Sequence, residues 1–395
     1  MKLFFYALGL VFLISIEVLR VYFIMPFPGS QRNETIEIAY FIESHINLIR
    51  IVGLILIAYP TFVLLKTTAR KYKVILAGGW IVWLIIVYLF NFQFLADKMF
   101  YQPQNKSFLS ADESKIGMRQ LVVGVSVNDE QKAYPIEIIG YHHQVRDVVG
   151  GQPIMVTYCT VCRTGRVYIP AVDGQLEDFR LVGMDHFNAM FEDSRTKSWW
   201  RQVNGEAIAG PMKGKFLKEI NSEQMRLDAW LEQYPNTLIM QEDILFRENY
   251  ADLVNYDEGK TKDGLERADS LSWKDKSWIV GVSMGMYARA YDWHELKRKR
   301  ILNDMLAEVP LLVVLEPDSV SFHSFLRDSL SFEYDIEKSM MIDLNTKSMW
   351  SLNGKCMSGQ LKNAELPRIQ SYQEYWHSWQ TFHPQTTQYK ATPNE

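Results

Sequence analysis

The sequence contains little cysteine and no excess of positive charge, and each absence excludes a class of protein. Three cysteines in 395 residues are too few for a disulfide-stapled scaffold or for tandem zinc fingers. The 42 Lys and Arg residues against 46 Asp and Glu leave a net charge of −4, so the chain has no basic footprint for nucleic acid. We therefore expect no nucleic-acid partner. With 48% hydrophobic and 22% charged residues, the composition is that of a folded chain.

Familiar catalytic motifs are also missing. The sequence has no GxSxG, no HExxH and no Walker motif. Gly150 and Gly151 precede a strand pattern and not the helix that phosphate binding requires. No enzymatic class follows from these patterns.

Three long apolar runs predict a membrane region over residues 1–96, with helices at about 3–27, 46–65 and 74–95. The third run has 22 residues without a charge, close to the ~20 that cross a bilayer. A cleaved signal peptide is the alternative for the first run, but no small-x-small cleavage site follows it. Glu17 and Arg20 lie three residues apart and are predicted to pair on one helical face.

The loop between the second and third runs indicates the orientation. It carries Lys66, Arg70, Lys71 and Lys73, which the positive-inside rule places in the cytoplasm. The N-terminus is then cytoplasmic, and everything after the third helix lies outside an inner (cytoplasmic) membrane, in the periplasm of a Gram-negative cell. The plain interpretation of the helices is an anchor rather than a channel or transporter.

The remaining chain contains an internal duplication. GVSVNDEQKAY (124–134) aligns without a gap on GVSMGMYARAY (281–291), and DSRTKSWW (193–200) aligns on DLNTKSMW (343–350). We predict two homologous lobes that form an internal pseudo-dimer: 97–242, and 276–395 as a degenerate copy. The charged, turn-rich residues 243–275 are predicted to be a surface linker.

Short strand patterns dominate each lobe. LVVGVSV, PIMVTY and GRVYIP alternate or run apolar and are bounded by Gly, Asp and Pro. Residues 135–145 and 222–233 are the convincing helix patterns of the first lobe. The predicted fold class is therefore α+β and strand-rich, preceded by an all-α transmembrane region.

Cys159 and Cys162 form a CxxC between two strand patterns, which fits a redox pair, half of a metal site or a structural disulfide. The second lobe has Leu315–Asp318 in place of this motif and Lys299 in place of His142. Residues present in one lobe only are the better site candidates, because shared residues serve the architecture. The first lobe alone adds His142, His143 and His186, and two imidazoles with two thiolates suit zinc or copper.

Simpler interpretations stand beside this one. His142 and His143 also fit polar residues that end a helix, and His186 fits a solvated or hydrogen-bonded residue. The two cysteines also fit an inert disulfide in an oxidising compartment. The tryptophans fit core positions better than a sugar platform; they are Trp199, Trp200, Trp350, Trp376 and Trp379.

Two stretches resemble a known family. KAYPIEIIGYHHQVRDVVGGQPIMVTYCTVCRTGRVY and FEDSRTKSWWRQVNGEAIAGP are similar to the family catalogued as domain of unknown function 3179. The resemblance implies that the family's His and two Cys fall on His142, Cys159 and Cys162. It places further motif residues on Asp147, Asn188, Asp193 and Trp200. The sequence departs from the pattern where His143 replaces a Glu, Arg146 replaces an Asn, and CTVCR replaces CPLCG. No activity is implied.

Three hypotheses follow for a membrane-anchored extracytoplasmic protein. The first is a copper or zinc centre at Cys159, Cys162 and His142, with His143 or His186 as further ligands, for metal handling or redox chemistry. The second is a metal-free thiol–disulfide oxidoreductase that uses the CxxC. The third is a non-enzymatic binding module with a structural CxxC disulfide, in which the cleft between the lobes holds a small molecule or an extracytoplasmic protein.

Overall fold

The computed structural model describes residues 1–32, 34–261 and 264–390. Three long apolar helices precede a strand-rich region built of several small sheets, as predicted. The helices are α1 (Lys2–Tyr22), α2 (Ile36–Thr67), α3 (Arg70–Phe92), α4 (Ala96–Met99), α5 (Ile136–His142), α6 (Leu227–Gln233), α7 (Arg247–Ala251), α8 (Trp293–Lys299) and α9 (Trp376–Phe382). The strands are β1 (Phe108–Leu109), β2 (Leu121–Val127), β3 (Glu130–Pro135), β4 (Gln144–Val149), β5 (Gln152–Cys159), β6 (Thr164–Tyr168), β7 (Ala171–Val172), β8 (Gln175–Leu176), β9 (Phe179–Asp185), β10 (Asn188–Asp193), β11 (Trp199–Arg201), β12 (Ala207–Ala209), β13 (Glu223–Arg226), β14 (Leu238–Met240), β15 (Trp278–Met284), β16 (Tyr287–Asp292), β17 (Ile301–Leu306), β18 (Val309–Leu315), β19 (Phe322–Leu326), β20 (Phe332–Asp335), β21 (Met340–Asp343), β22 (Met349–Trp350), β23 (Cys356–Ser358), β24 (Tyr372–Tyr375) and β25 (Thr387–Gln388).

The chain forms two compact units. Unit 1 comprises Met1–Tyr101 and Ala171–Leu217, and unit 2 comprises Gln102–Pro170 and the chain from Lys218 onward. Residues 97–242, predicted as one lobe, are therefore shared between the two units.

In unit 1, helices α1, α2 and α3 are each long and apolar enough to cross a membrane. Helix α2 begins at Ile36, well before the predicted residue 46. The prediction relied on an uninterrupted apolar run. Glu37 and Glu43 interrupt that run in the first part of the helix, so this part was left out. A carboxylate ends an apolar run but does not end a helix, because Glu is a good helix former.

Charged side chains connect these helices. Arg20 of α1 donates to Glu43 of α2 (Nε to Oε2, 2.5 Å), and Arg50 of α2 donates to Glu17 of α1 (Nε to Oε1, 2.6 Å). The Asn91 side chain of α3 accepts from both arginines. The prediction that Glu17 pairs with Arg20 is wrong, because the face that they share packs against α2, which supplies an opposite charge to each.

The helices of unit 1 also pack against its four-stranded sheet, which has the order β12-β11-β10-β9. Arg180 of β9 binds Glu192 of β10 and also reaches Glu43 of α2 (Nη2 to Oε1, 3.4 Å). The Ile24 carbonyl, just after α1, accepts from the Met184 amide (2.6 Å). A Cβ at Gly183 would lie 2.2 Å from that carbonyl, so only glycine allows this approach. The helices are thus the packing partner of a sheet as well as an apolar anchor.

Strands β7 and β8 pair as a two-stranded sheet in unit 1, and unit 2 contains the remaining strands in five sheets. Their orders are β1-β14-β3-β2-β13, β4-β5-β6, β24-β15-β16-β25, β17-β18-β19 and β20-β21-β22-β23. The order of elements from β2 to β6 recurs from β15 to β19, with α5 and α8 at the same place. The β-branched and aromatic runs of these segments favour buried strands.

Individual contacts recur with this order. Tyr134 donates to Asp147 and Tyr291 donates to Asp304, each at 2.8 Å. The Trp230 ring covers Gly124 so closely that a Cβ there would lie 2.4 Å from it, and Trp379 covers Gly281 in the same way. The duplication seen in the sequence thus has structural counterparts, while the packing of two lobes as a pseudo-dimer stays a prediction.

The segment predicted as a surface linker is partly buried. Tyr250, Leu253 and Tyr256 are 2%, 6% and 0% exposed. The surface prediction is therefore wrong for this part of 243–275. Apolar residues spaced three apart face the interior within a segment whose overall composition is charged.

Candidate functional site

The CxxC forms the turn between β5, which ends at Cys159, and β6, which begins at Thr164. Both cysteines are thiols and both are fully buried. Burial, together with the neighbouring Cys159 thiol, raises the pKa of Cys162 well above its usual value. A thiol with a raised pKa is a weak nucleophile and gives up its proton to a metal less readily.

Other segments of unit 2 enclose this turn. The Tyr375 amide of β24 donates to the Cys162 carbonyl at 2.9 Å. The Val161 carbonyl accepts from Lys276 Nζ at 2.7 Å, and the His377 ring lies 3.3 Å from the same oxygen. The CxxC is therefore a contact between the first and second halves of unit 2.

Arg163, the residue after the motif, strengthens this contact. Its guanidinium lies 3.8 Å from the centre of the Trp278 ring and donates to the Tyr256 carbonyl at 2.8 Å. Its Nε donates to Gln373 of β24 at 3.1 Å. A fully buried arginine with these partners holds the turn in place.

His142 and His143 end helix α5 and are both buried. His142 Nε2 lies 2.8 Å from the Tyr250 hydroxyl, and His143 Nδ1 lies 3.1 Å from the Tyr158 carbonyl. Burial lowers the pKa of His143 to about 4, so its ring is neutral at pH 7.

His186 belongs to unit 1. Its Nδ1 lies 2.7 Å from Asp185 Oδ1, and that carboxylate also accepts from Arg201 Nε at 2.5 Å. The hydrogen bond to Asp185 raises the pKa of His186. The residue is thus part of a charged cluster at the β9–β10 turn.

The predicted ligand set is not assembled as a metal site in the described part of the chain. Within residues 1–32, 34–261 and 264–390, no three His, Cys, Asp or Glu side chains are placed to hold a metal ion together. Two thiols are half of the four ligands that tetrahedral zinc prefers. The geometry therefore gives no support to the copper or zinc centre, which stays a prediction.

The remaining motif residues make structural contacts. Asp147 accepts from Tyr134, and the Asn188 amide binds Gln202 at 3.0 Å. Asp193 accepts from the Trp200 indole at 3.0 Å, a contact that Asp343 and Trp350 repeat at the same distance. The five tryptophans singled out in the sequence are 0–8% exposed, which confirms them as core residues; they are Trp199, Trp200, Trp350, Trp376 and Trp379.

A polar cleft of about 250 Å³ lies elsewhere in unit 2. Its walls are residues 221–224, 322–324 and 368–371, with strand β2 at Gly124 and Ser126. Trp230 and Tyr234, at the end of helix α6, complete it. We call this set of residues the cleft.

The charged groups of the cleft are paired with each other and with Glu316, which lies beside the cleft. Glu223 Oε2 lies 3.3 Å from His323 Nδ1 and accepts from Arg368. His323 Nε2 lies 2.7 Å from Glu316 Oε1. Burial lowers the pKa of His323, but the bonds to the two carboxylates outweigh it, so the pKa is raised overall.

One side chain of the cleft stands apart. Ser324 is 3% exposed, yet its hydroxyl has no hydrogen-bond partner among residues 1–32, 34–261 and 264–390. A buried hydroxyl without a partner is costly, and this oxygen has almost no accessible surface, so it is not open to a ligand in the cleft. Sequence reasoning missed the cleft because it searched for residues unique to the first lobe. His323, unique to the second, was the available signal.

Comparison with known proteins gives a family and no activity. No curated protein and no solved structure matches the chain. A family model described as a protein of unknown function, DUF3179, matches residues 101–386, well over half of the sequence. The chain therefore belongs to the DUF3179 family.

Proposed function

We propose that this protein is a membrane-anchored binding protein whose small-molecule ligand occupies the cleft. The observation that carries the proposal is the cleft itself, where Glu223, His323 and Arg368 meet from separate segments. A concave site with aromatic walls, here Trp230, Tyr234 and Phe322, and a few convergent polar groups is typical of small-molecule binding. In this proposal the cleft faces the extracytoplasmic side, in agreement with the charge pattern of the loop before α3.

In this proposal the CxxC has a structural role. Its thiols are buried, and its carbonyls are bound by Tyr375 and Lys276. A thiol–disulfide oxidoreductase needs an exposed thiol of low pKa, whereas the Cys162 thiol is buried and its pKa is raised. The contacts of Cys159 and Cys162 therefore favour a packing role over catalysis.

Blocking the cleft tests the proposal. Ser126 is an exposed residue of β2 that lines the cleft, and Ser283 is its exposed counterpart in β15, outside the cleft. The full chain in detergent is heated with glucose, glutamine, glutamate or citrate, and the melting temperature is measured. We expect at least one compound to raise the melting temperature of the native chain and of Ser283→Trp, but not of Ser126→Trp.

A stabilisation that does not depend on the cleft would contradict the proposal. If a compound stabilises the native chain and Ser126→Trp to the same extent, its site lies elsewhere and the cleft proposal is wrong.

A further inference from the structure

The sheet β20-β21-β22-β23 of unit 2 repeats the sheet β12-β11-β10-β9 of unit 1. The Met212 amide donates to the Ser198 hydroxyl at 3.0 Å, and the Leu361 amide donates to the Ser348 hydroxyl at 3.2 Å. Both sheets also contain the bond from a tryptophan indole to an aspartate that was described above. The two sheets can therefore be compared position by position.

One face of the sheet in unit 1 is covered by helix α2. The strand register puts four side chains in one row on this face; they are Arg180, Glu192, Trp199 and Ala209. The Tyr40 ring of α2 lies edge-on against the Trp199 ring, with 5.1 Å between the ring centres. A Cβ at Gly210 would lie 2.8 Å from the Tyr40 hydroxyl, so the helix approaches the strands closely.

Two ion pairs flank this aromatic contact. Lys213 binds Glu37 of α2, and Arg180 reaches Glu43 of α2 at 3.4 Å. Glu37, Tyr40 and Glu43 are spaced three residues apart, so they lie on one side of the helix. The sheet of unit 1 thus receives an acidic, an aromatic and an acidic residue from α2.

The same face is exposed in the sheet of unit 2. Its row is Glu333, Ile342, Met349 and Ser358. The two ends of this row are exposed, and the two apolar residues at its centre are half-buried. Next to the row, Met357 is 55% exposed, whereas Ile208 at the same position in unit 1 is 7% exposed. We call these five residues of unit 2 the open face.

The charges around the open face differ from those of unit 1 at one end. Lys362 takes the place of Lys213 and is exposed, so a carboxylate in the position of Glu37 would again be paired. Glu333 takes the place of Arg180, so a basic residue in the position of Glu43 would be paired instead. The methionine side chains between these ends adapt readily to the surface of a partner.

From this comparison we infer that the open face binds an α-helix of another protein, one that carries an acidic, an aromatic and a basic residue at successive spacings of three. Such a helix would lie on the strands as α2 lies on the sheet of unit 1, with its apolar side on the open face. A second copy of this chain is a poor source of the helix, because its α2 already packs on its own sheet and carries Glu43 where a base is favoured.

A peptide derived from α2 tests the inference. The probe is a fluorescently labelled peptide of residues 35–47 with Glu43→Lys, in which the exposed residues Ile38 and Phe41 are replaced by Gln. A second probe keeps Glu43. Binding to the full chain in detergent is measured by fluorescence anisotropy. We expect saturable binding of both probes, with the Lys probe bound about threefold more tightly, as one exposed ion pair allows.

Three variants of the protein locate the binding and test its charge preference. Ser358→Trp places a large side chain in the row and should weaken binding of the Lys probe at least tenfold. Ser283→Trp, at an exposed residue of a different sheet, should leave this affinity unchanged. Glu333→Lys should reverse the preference, so that the probe with Glu43 binds more tightly.

Other results would overturn the inference. It fails if the native chain shows no saturable binding, or if Ser358→Trp binds the probe as the native chain does. An unreversed preference in Glu333→Lys would overturn the charges assigned to the helix. If light scattering shows a native dimer that Ser358→Trp converts to a monomer, the open face joins two copies of this chain instead. Ser126→Trp should bind the probe normally, so the cleft and the open face are tested separately.

Discussion

The CxxC turn and its counterpart in the second half of unit 2 have the same backbone hydrogen bond and differ in what their side chains contact. The Tyr158 amide donates to the His143 carbonyl at 3.0 Å, and the Leu315 amide donates to the Arg300 carbonyl at 2.8 Å. The next residue is Cys159, the last of β5, in one half and Glu316, the first after β18, in the other.

The side chains of the two turns meet different surroundings. The Cys159 turn is enclosed by other segments of unit 2, whereas Glu316 binds His323 beside the cleft. Duplication has therefore left one turn as a packing contact and made the other a support for a polar cavity. A residue that only one copy carries is not by itself a sign of chemistry.

The largest expected effect on stability comes from a contact that both halves of unit 2 contain, a tryptophan ring packed on a glycine. Trp230→Ala and Trp379→Ala each remove a buried ring that covers a glycine. We expect each to lower the free energy of unfolding by about 3–5 kcal/mol, measured by denaturant titration of the full chain in detergent. A loss confined to one variant would mean that the two halves are not equivalent in packing.

A smaller effect is expected at the CxxC turn. Cys159→Ala with Cys162→Ala removes two buried sulfurs, so we expect a loss of about 1–3 kcal/mol and no change in ligand-dependent stabilisation. Elemental analysis of the native chain should show metal well below one ion per chain. Near-stoichiometric zinc or copper that disappears in Cys159→Ala would instead establish the metal centre predicted from the sequence.

The smallest expected effect is a pH dependence of stability, which arises at the other turn from His323 and its partner Glu316. The pKa of His323 is raised by Glu223 and Glu316, so its protonated form stabilises the folded state. This contribution is complete below the unfolded-state pKa of about 6.5 and is lost as pH rises through the higher folded-state value. The melting temperature should therefore contain a term that falls as pH rises above about 6.5.

A variant isolates this term. His323→Gln should remove it, and Glu316→Gln should shift the histidine titration, followed by NMR, toward lower pH. A native-like pH profile in His323→Gln would show that the two carboxylates do not hold the proton in the folded protein.

Elements with strong local patterns were predictable from the sequence. The helix predicted at 135–145 is confirmed over Ile136–His142 by α5, where apolar residues recur at helical spacing, but the prediction ran on into β4, which begins at Gln144. The pattern at 222–233 combined two elements, since β13 ends at Arg226 and α6 begins at the next residue. Both present apolar residues to the interior, and a short window does not separate their periods.

Local sequence patterns could not predict the cleft. It needs Glu223, His323 and Arg368, which are far apart in the sequence and meet only when the strands are paired. The CxxC was visible, but its burial depends on Tyr375 and Lys276, from the other half of unit 2. Tertiary contacts therefore decided both sites.

The interleaving of the two units has a consequence for synthesis at the ribosome. Unit 1 is complete once Leu217 has been made, whereas unit 2 has by then only residues 102–170 and needs the chain from Lys218 onward. We expect the helices and the β9–β12 sheet to fold first. Until the chain from Lys218 onward is made, the first strands of unit 2 keep their apolar faces uncovered. A chain that begins after α3 would lose the helices that pack on that sheet, so unit 1 could not be completed at Leu217.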